Sequence, residues 1–252
     1  MTKIENVEKI LLIGPSTKIK ELSKQKILDY INGGGFIFSY GESIKYLKTI
    51  NIVPDFHIFI DPLSWCKSED AYSEQFKQKT TLFALNDYKD NLKKFYTWAT
   101  CNGARRYQGG HRFKKFEKLE FINNYNEIFW FDSKKINIDE IKVEQKIDFK
   151  DDIVILGWSK KTGRNNDKFS CFAMPLIINV FENLKNLHIV GFGDLQVGRW
   201  HDPAGTRGLS EARITFNAAA KYLSQNIIKN NIQISFEHDN YYNRMLTKAL
   251  IK

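Results

Sequence analysis

The sequence predicts a single α/β domain, residues 1–252, in which helices cover both faces of a mostly parallel sheet. Short apolar runs bounded by turn residues alternate with longer stretches whose apolar residues recur every three or four positions. This alternation is typical of βαβ units, whose right-handed crossovers place helices on both sides of a parallel sheet.

The predicted strands are short and apolar, as expected for strands buried on both faces. They are Ile10–Ile13, Phe36–Phe38, His57–Ile60, Thr81–Leu85, Ile128–Phe131, Ile153–Leu156, His188–Val190 and Gln233–Phe236. The predicted helices are Thr17–Ile31, Ser43–Thr49, Phe169–Asn183, Ser210–Gln225 and Tyr241–Leu250. Residues 86–125 lack either pattern, which predicts a lid or insert there, with an undetected helix as the alternative. Together these elements predict a Rossmann-like sheet.

The composition favours a globular protein of the cytoplasm. With 252 residues and 42% hydrophobic content, the chain is large enough to bury a substantial core. No run approaches the roughly 20 apolar residues that cross a bilayer, so we expect at most a peripheral contact with membranes. The polar start also lacks the apolar stretch of a signal peptide. The three cysteines fit neither a disulfide framework nor a zinc site, and we expect them to be reduced.

The net charge of +9 raises the question of a nucleic-acid partner. The lysines, however, are scattered through Lys/Asn/Ile-rich segments, which favours a solvated surface and no specific nucleic-acid binding. Most of the arginines fall in two groups, Arg105/Arg106/Arg112 and Arg199/Arg207/Arg213. Because the guanidinium fork suits phosphate or carboxylate, these groups favour an anionic small molecule as the ligand.

The first strand passes directly into a loop of Gly14, Pro15 and Ser16. Gly14 allows close approach of a backbone, and Ser16 or Thr17 is suited to cap a helix whose free N–H groups face an anion. The alternative is an ordinary strand-to-helix turn. If the loop binds phosphate, Gly14→Val weakens nucleotide binding and leaves the fold largely intact. The loop matches neither the Walker motif nor the GxGxxG fingerprint.

Two further strands end in residues suited to ligand binding. The second runs through Ser39 to Gly41 before a predicted helix, and the third ends at Asp61. Ligands of open parallel sheets bind at the carboxyl ends of strands. Asp61 is therefore a candidate to accept hydrogen bonds from a ribose or base, or it caps the next turn.

A glycine-rich loop after the strand at His188–Val190 holds the residues best suited to catalysis. It contains Asp194, Arg199, His201 and Asp202. An imidazole beside a carboxylate is suited to general-base work, and a nearby arginine to stabilising a phosphate leaving group. The alternative is a surface loop in which these side chains make turn contacts. His57 and His188 lie in apolar strand patterns and are interpreted as core or ladder residues.

Four motifs occur in an order that resembles the Maf-type flagellin glycosyltransferases. They are Gly14-Pro-Ser16, Phe38-Ser-Tyr-Gly-Glu-Ser-Ile-Lys-Tyr-Leu47, Ile52-Val-Pro-Asp-Phe-His-Ile-Phe-Ile-Asp-Pro62, and Val190-Gly-Phe-Gly-Asp-Leu195 followed by His201. The same core is similar to family 42 sialyltransferases and to archaeal 6-hydroxymethyl-dihydropterin pyrophosphokinases. The resemblance covers roughly residues 8 to 65 and 165 to 236.

This resemblance implies a transferase that moves a sugar from a nucleotide donor, such as a CMP-linked nonulosonic acid, to a hydroxyl of a glycan or protein. It assigns the chemistry to His201 as base, with Asp194 and Arg199 beside it, and requires no cofactor. Ser170 resembles a small-residue nucleotide contact, although helix capping also explains it. The predicted nucleotide-binding residues are Gly14, Pro15, Ser16, Ser39, Gly41, Asp61 and Ser170.

Two alternatives follow from the same resemblance. A pyrophosphokinase would need Mg²⁺, which Asp61 and Asp194 are suited to hold. The second alternative is a protein that binds a nucleotide or glycan without turnover. It is favoured because Ile13 replaces a common family asparagine and the family tyrosines near Asp194 are missing. The oligomeric state is not predicted.

Overall fold

The computed structural model describes residues 4–41, 43–59, 74–85, 125–131, 173–174, 176–192 and 223–251. Within these residues seven strands form one sheet in which every neighbouring pair is parallel. The strands are β1 (Lys9–Ile13), β2 (Phe36–Tyr40), β3 (Phe56–Phe59), β4 (Thr81–Leu85), β5 (Ile128–Phe131), β6 (Asn186–Val190) and β7 (Gln233–Phe236). The α/β, Rossmann-like fold predicted from the sequence is confirmed.

Helices alternate with these strands along the chain. They are α1 (Lys24–Asn32), α2 (Ser43–Thr49), α3 (Glu74–Lys79) and α4 (Tyr241–Leu250), together with a 3-10 helix at Thr17–Glu21. Residues 176–180 and 223–229 are also helical. In the described part of the chain no helix is both long and apolar enough to cross a membrane.

The prediction of one helix over Thr17–Ile31 is wrong, because two short helices replace it. Ser16 caps the 3-10 helix by accepting from the backbone N–H of Lys18, and Ser23 caps α1 by accepting from Lys26. Leu22 between them has extended backbone angles. The serine hydroxyl competes for backbone N–H groups and so starts a second helix within one amphipathic stretch.

The sequence pattern also missed α3, and two predicted segments cannot be compared. In α3 the buried apolar residue is Phe76, and lysine and glutamine occupy most of the other positions, so the helical period is absent. The predicted strand at Ile153–Leu156 and residues 86–124 of the predicted insert at 86–125 lie outside the described residues. The other predicted strands are confirmed, with ends displaced by at most two residues.

The central strands of the sheet are buried on both faces. One cluster contains Leu11, Ile13 and Ile37 and packs under the 3-10 helix, α1 and α2. The larger cluster on the other face centres on the rings of Phe38, Phe56, Phe83 and Phe181, which pack in tilted and edge-on contacts. Burying a side chain of this size stabilises a fold by about 1.5–3 kcal/mol. The packing of these side chains therefore stabilises the central strands and fixes the positions of their ends.

The order of the strands reverses at β1. The sheet runs β5-β4-β3-β2-β1-β6-β7, so the chain first adds strands on one side of β1 and then crosses to the other side. In open parallel sheets, ligands bind outside the carboxyl ends of the strands at such a reversal. The fold therefore directs attention to the loops that follow β1 and β6.

Candidate functional site

Four residues lie at or just beyond the carboxyl ends of β1, β2, β6 and β7. Ile13 pairs with Ser39 and with Val190, and Ile189 pairs with Phe236. Extending the register beyond these pairs brings the following residues into one row: Tyr40, Gly14, Gly191 and His238. Because neighbouring strands lie about 4.8 Å apart, these four residues lie side by side along the edge of the sheet. We take this row as the base of the candidate site.

The loops after β1 and β6 are joined by hydrogen bonds and by a contact between two glycines. The backbone N–H of Gly14 donates to the Val190 carbonyl at 2.8 Å, and that of Ser16 donates to the Gly191 carbonyl at 3.1 Å. A Cβ on Gly14 would overlap the Gly191 carbonyl and the ring of Phe192. Gly191 has a φ of 74°, and a Cβ there would overlap Ile19. Both positions therefore require glycine, and we name this contact the Gly14–Gly191 lock.

The lock changes the interpretation of the first loop. Gly14 and Ser16 are buried, and the Ser16 carbonyl and hydroxyl accept from Ile19 and Lys18. The expectation that Gly14→Val leaves the fold intact is corrected here, because a side chain would force β1 and β6 apart. Pro15, between them, is half-buried and borders the edge of the sheet.

The turn after β2 differs from the lock. Gly41 has a φ of 54°, and no atom of the described residues lies within 4 Å of where its Cβ would stand. The next helix is fixed by the Ser43 hydroxyl, which accepts from the Tyr40 N–H at 3.1 Å. The Tyr40 ring packs on Phe192, with centroids 5.4 Å apart. Within the described residues, the space beside Gly41 at the end of β2 is therefore unfilled.

Ser39 lies beneath this open space with its side chain fully buried. Its hydroxyl donates to the Phe56 carbonyl at 3.3 Å and lies 2.7 Å from Nδ1 of His57. Burial lowers the pKa of His57 to about 3, so the ring is neutral, and the edge of Phe76 packs against it. The interpretation of His57 as a core residue is confirmed, and Ser39 joins β2 to β3.

The edge beyond β6 carries two further histidines. His188 is a ladder residue, as predicted, since Nδ1 lies 2.7 Å from the Ser235 hydroxyl and Nε2 lies 3.0 Å from Glu237. Burial alone would raise the pKa of Glu237, but hydrogen bonds from Lys26 and His188 hold that pKa below its usual range. The other histidine, His238, has a buried Nε2 with no hydrogen-bond partner in the described part of the chain.

No sequence pattern predicted the position of His238. Its Nδ1 lies 3.6 Å from Oε2 of Glu21, at the end of the 3-10 helix. The Lys18 ammonium donates to the same carboxylate and lowers the pKa of Glu21. Because 217 residues separate Glu21 from His238 in the sequence, only the strand order brings them together.

The remaining predicted site residues lie outside the described residues. These are His201, Asp194 and Arg199 of the predicted catalytic set, with Asp61 and Ser170 of the nucleotide-binding set. Among the residues that the structure does describe, no group of three His, Cys, Asp or Glu side chains is arranged to hold a metal ion.

No protein-family model matches the chain, and no curated protein matches it. The fold and the geometry at the carboxyl edge are therefore the observations on which a functional proposal rests, and the resemblance of the short motifs remains a prediction.

Proposed function

We propose that this chain binds a nucleotide-activated sugar at the carboxyl edge of its sheet and transfers the sugar to a hydroxyl of a glycan or protein in the cytoplasm. The observation that carries the proposal is the reversal of strand order at β1, with the loops after β1, β2 and β6 meeting in one row. This topology supports binding of nucleotides in unrelated enzymes. The resemblance of the motifs favours a CMP-linked nonulosonic acid as the donor.

The nucleotide is proposed to lie over the end of β2. Gly14, Ser16 and Ser39 have their polar groups engaged within the protein, as described above. Pro15 and Gly41, which follow neighbouring strands, are half-buried at the same edge. A ribose or phosphate approaching here meets backbone without a side chain at Gly41, and open space beside it.

The chemistry is assigned to the loop that follows Phe192. In the proposed reaction, His201 takes the proton of the acceptor hydroxyl as its oxygen attacks the anomeric carbon of the sugar. The bond from that carbon to the phosphate oxygen breaks, and its electron pair leaves with the nucleotide. Arg199 stabilises the phosphate, and Asp194 lies near the start of the loop. This transfer needs no metal ion, whereas transfer of diphosphate from ATP would need Mg²⁺.

A thermal-shift screen of CMP, CDP, UDP, GDP and ATP, each with and without Mg²⁺, tests the proposal. We expect the largest stabilisation from CMP, without dependence on the metal. A shift from ATP that requires Mg²⁺ would instead favour the pyrophosphokinase reaction. No shift from any nucleotide would contradict both reactions.

Turnover then separates the catalytic roles. His201→Ala is expected to lower the rate by about 10² to 10⁴ and to spare affinity for CMP, because a general base acts in the transition state. Arg199→Ala is expected to weaken donor binding as well, since its guanidinium contacts phosphate in both states. Wild-type turnover in His201→Ala would remove this residue from the mechanism.

A further inference from the structure

The imidazole of His238 has an unused hydrogen-bonding atom in a defined place. Nε2 is buried without a partner among the residues that the structure describes, while Nδ1 faces the Glu21 carboxylate at 3.6 Å. Buried polar atoms in native proteins are nearly always paired, and an exception calls for an explanation such as a bound water, an ion or a functional role. Side-chain exposure of 20% at His238 leaves the ring close to the surface.

The Glu21 contact determines what kind of partner Nε2 needs. An ionised carboxylate only accepts hydrogen bonds, so at 3.6 Å its charge favours the tautomer with the proton on Nδ1, without a hydrogen bond between them. In the neutral ring the other nitrogen then presents a lone pair. Nε2 of His238 is therefore an acceptor that needs an O–H or N–H donor.

The position of the pair links it to the candidate site. His238 follows β7 in the same row as Gly191 and Gly14, about two strand spacings from Gly14. Glu21 ends the 3-10 helix that begins directly after the Gly14 loop. In the sheet, β6 lies between β1 and β7, and His201 follows β6 in the sequence. The pair thus borders the same edge on the side away from Gly41.

We propose that His238, oriented by Glu21, is a binding residue that accepts a hydrogen bond from a hydroxyl of the sugar. The proposal rests on the proposed function and adds to it a second half of the site: nucleotide over β2, sugar toward β7. His238 acts here as a hydrogen-bond acceptor for the bound ligand, and the proton transfer stays with His201.

The tautomer of His238 tests the assignment without any ligand. Long-range ¹H–¹⁵N spectra of the full chain, labelled with ¹⁵N-histidine, report which ring nitrogen carries the proton. We expect the proton on Nδ1 in the wild type, and loss of this preference in Glu21→Gln, which keeps the shape of the side chain. A proton on Nε2 of the wild-type protein would overturn the proposal.

Calorimetry with CMP and with CMP-linked N-acetylneuraminic acid tests the binding role. His238→Leu, which removes the acceptor, is expected to weaken binding of the CMP-linked sugar about tenfold or more and to change binding of CMP less than about twofold. His188→Leu is the matched control, because both nitrogens of His188 already have partners within the protein. It is expected to change neither affinity.

The two failures are distinguishable. Wild-type affinity of His238→Leu for the CMP-linked sugar would overturn the role of His238, while binding of CMP to the wild type would leave the proposed function standing. If the wild type binds neither compound, the proposed function fails, and the sugar-binding role of His238 fails with it. The tautomer of His238 then shows separately whether Glu21 orients the ring.

Discussion

The two glycine turns at the carboxyl edge look alike in sequence and have different physical roles. Gly14 is buried in a lock with Gly191, where the carbonyl of one loop and the ring of Phe192 occupy the space of a side chain. Gly41, one strand away, has a left-handed backbone and open space beside it. The first glycine holds two strands together, and the second leaves room for a ligand. Substitutions at these positions should therefore fail for different reasons.

Gly14→Ala is expected to have the largest effect. The added methyl group meets backbone that cannot move without separating β1 from β6, which should lower the free energy of unfolding by at least about 3 kcal/mol. Gly33→Ala is the matched control, because its Cβ would make only an ordinary contact, at 3.4 Å. Urea denaturation measures both. A Gly14→Ala protein as stable as Gly33→Ala would show that the lock does not exist.

Low pH is expected to destabilise the folded protein through His57, which lies beneath the end of β2. The folded state keeps this ring neutral with a pKa of about 3, whereas the unfolded chain takes up a proton below about pH 6.5. The stability that His57 contributes is therefore complete above that pH and is lost as the pH falls toward 3. Between pH 7 and 5.5 we expect a loss of about 1.2 kcal/mol.

His57→Asn isolates this contribution from those of the other histidines, since asparagine retains a polar atom near the Ser39 hydroxyl. The difference in unfolding free energy between pH 7 and 5.5 should be smaller in the variant by about 1.2 kcal/mol. Equal pH dependence in both proteins would show that His57 is accessible to protons in the folded state.

Gly41→Ala is expected to have the smallest effect on stability. A left-handed backbone costs an alanine about 1 kcal/mol, with no overlap to add to it. Gly34→Ala is the control, because Gly34 has a φ of 79° and likewise lacks neighbours at its Cβ. Equal losses of stability, with weaker CMP binding in Gly41→Ala alone, would support the site over β2. Unchanged CMP affinity in Gly41→Ala would argue against that site.

The strands were predictable from sequence because burial on both faces leaves continuous apolar runs such as Leu11 to Ile13. The break between the 3-10 helix and α1 was not, since Leu22 and Ile19 keep the helical period while Ser23 starts a new cap. The site was predictable only to the level of the edge. Contacts between distant parts of the chain decide whether the space beside a glycine is occupied, as at Gly14, or unoccupied, as at Gly41. Such contacts also decide which histidine nitrogen remains without a partner in the described residues.

The most direct test follows the backbone amides of the wild-type protein by NMR while CMP is added. The account predicts that the largest shifts fall on residues 40, 41 and 43 at the end of β2, with smaller changes across the buried amides of Gly14 and Ser16. Shifts confined to the amino ends of the strands, or none at residues 40–43 on saturation with CMP, would contradict a nucleotide site at the carboxyl edge over β2.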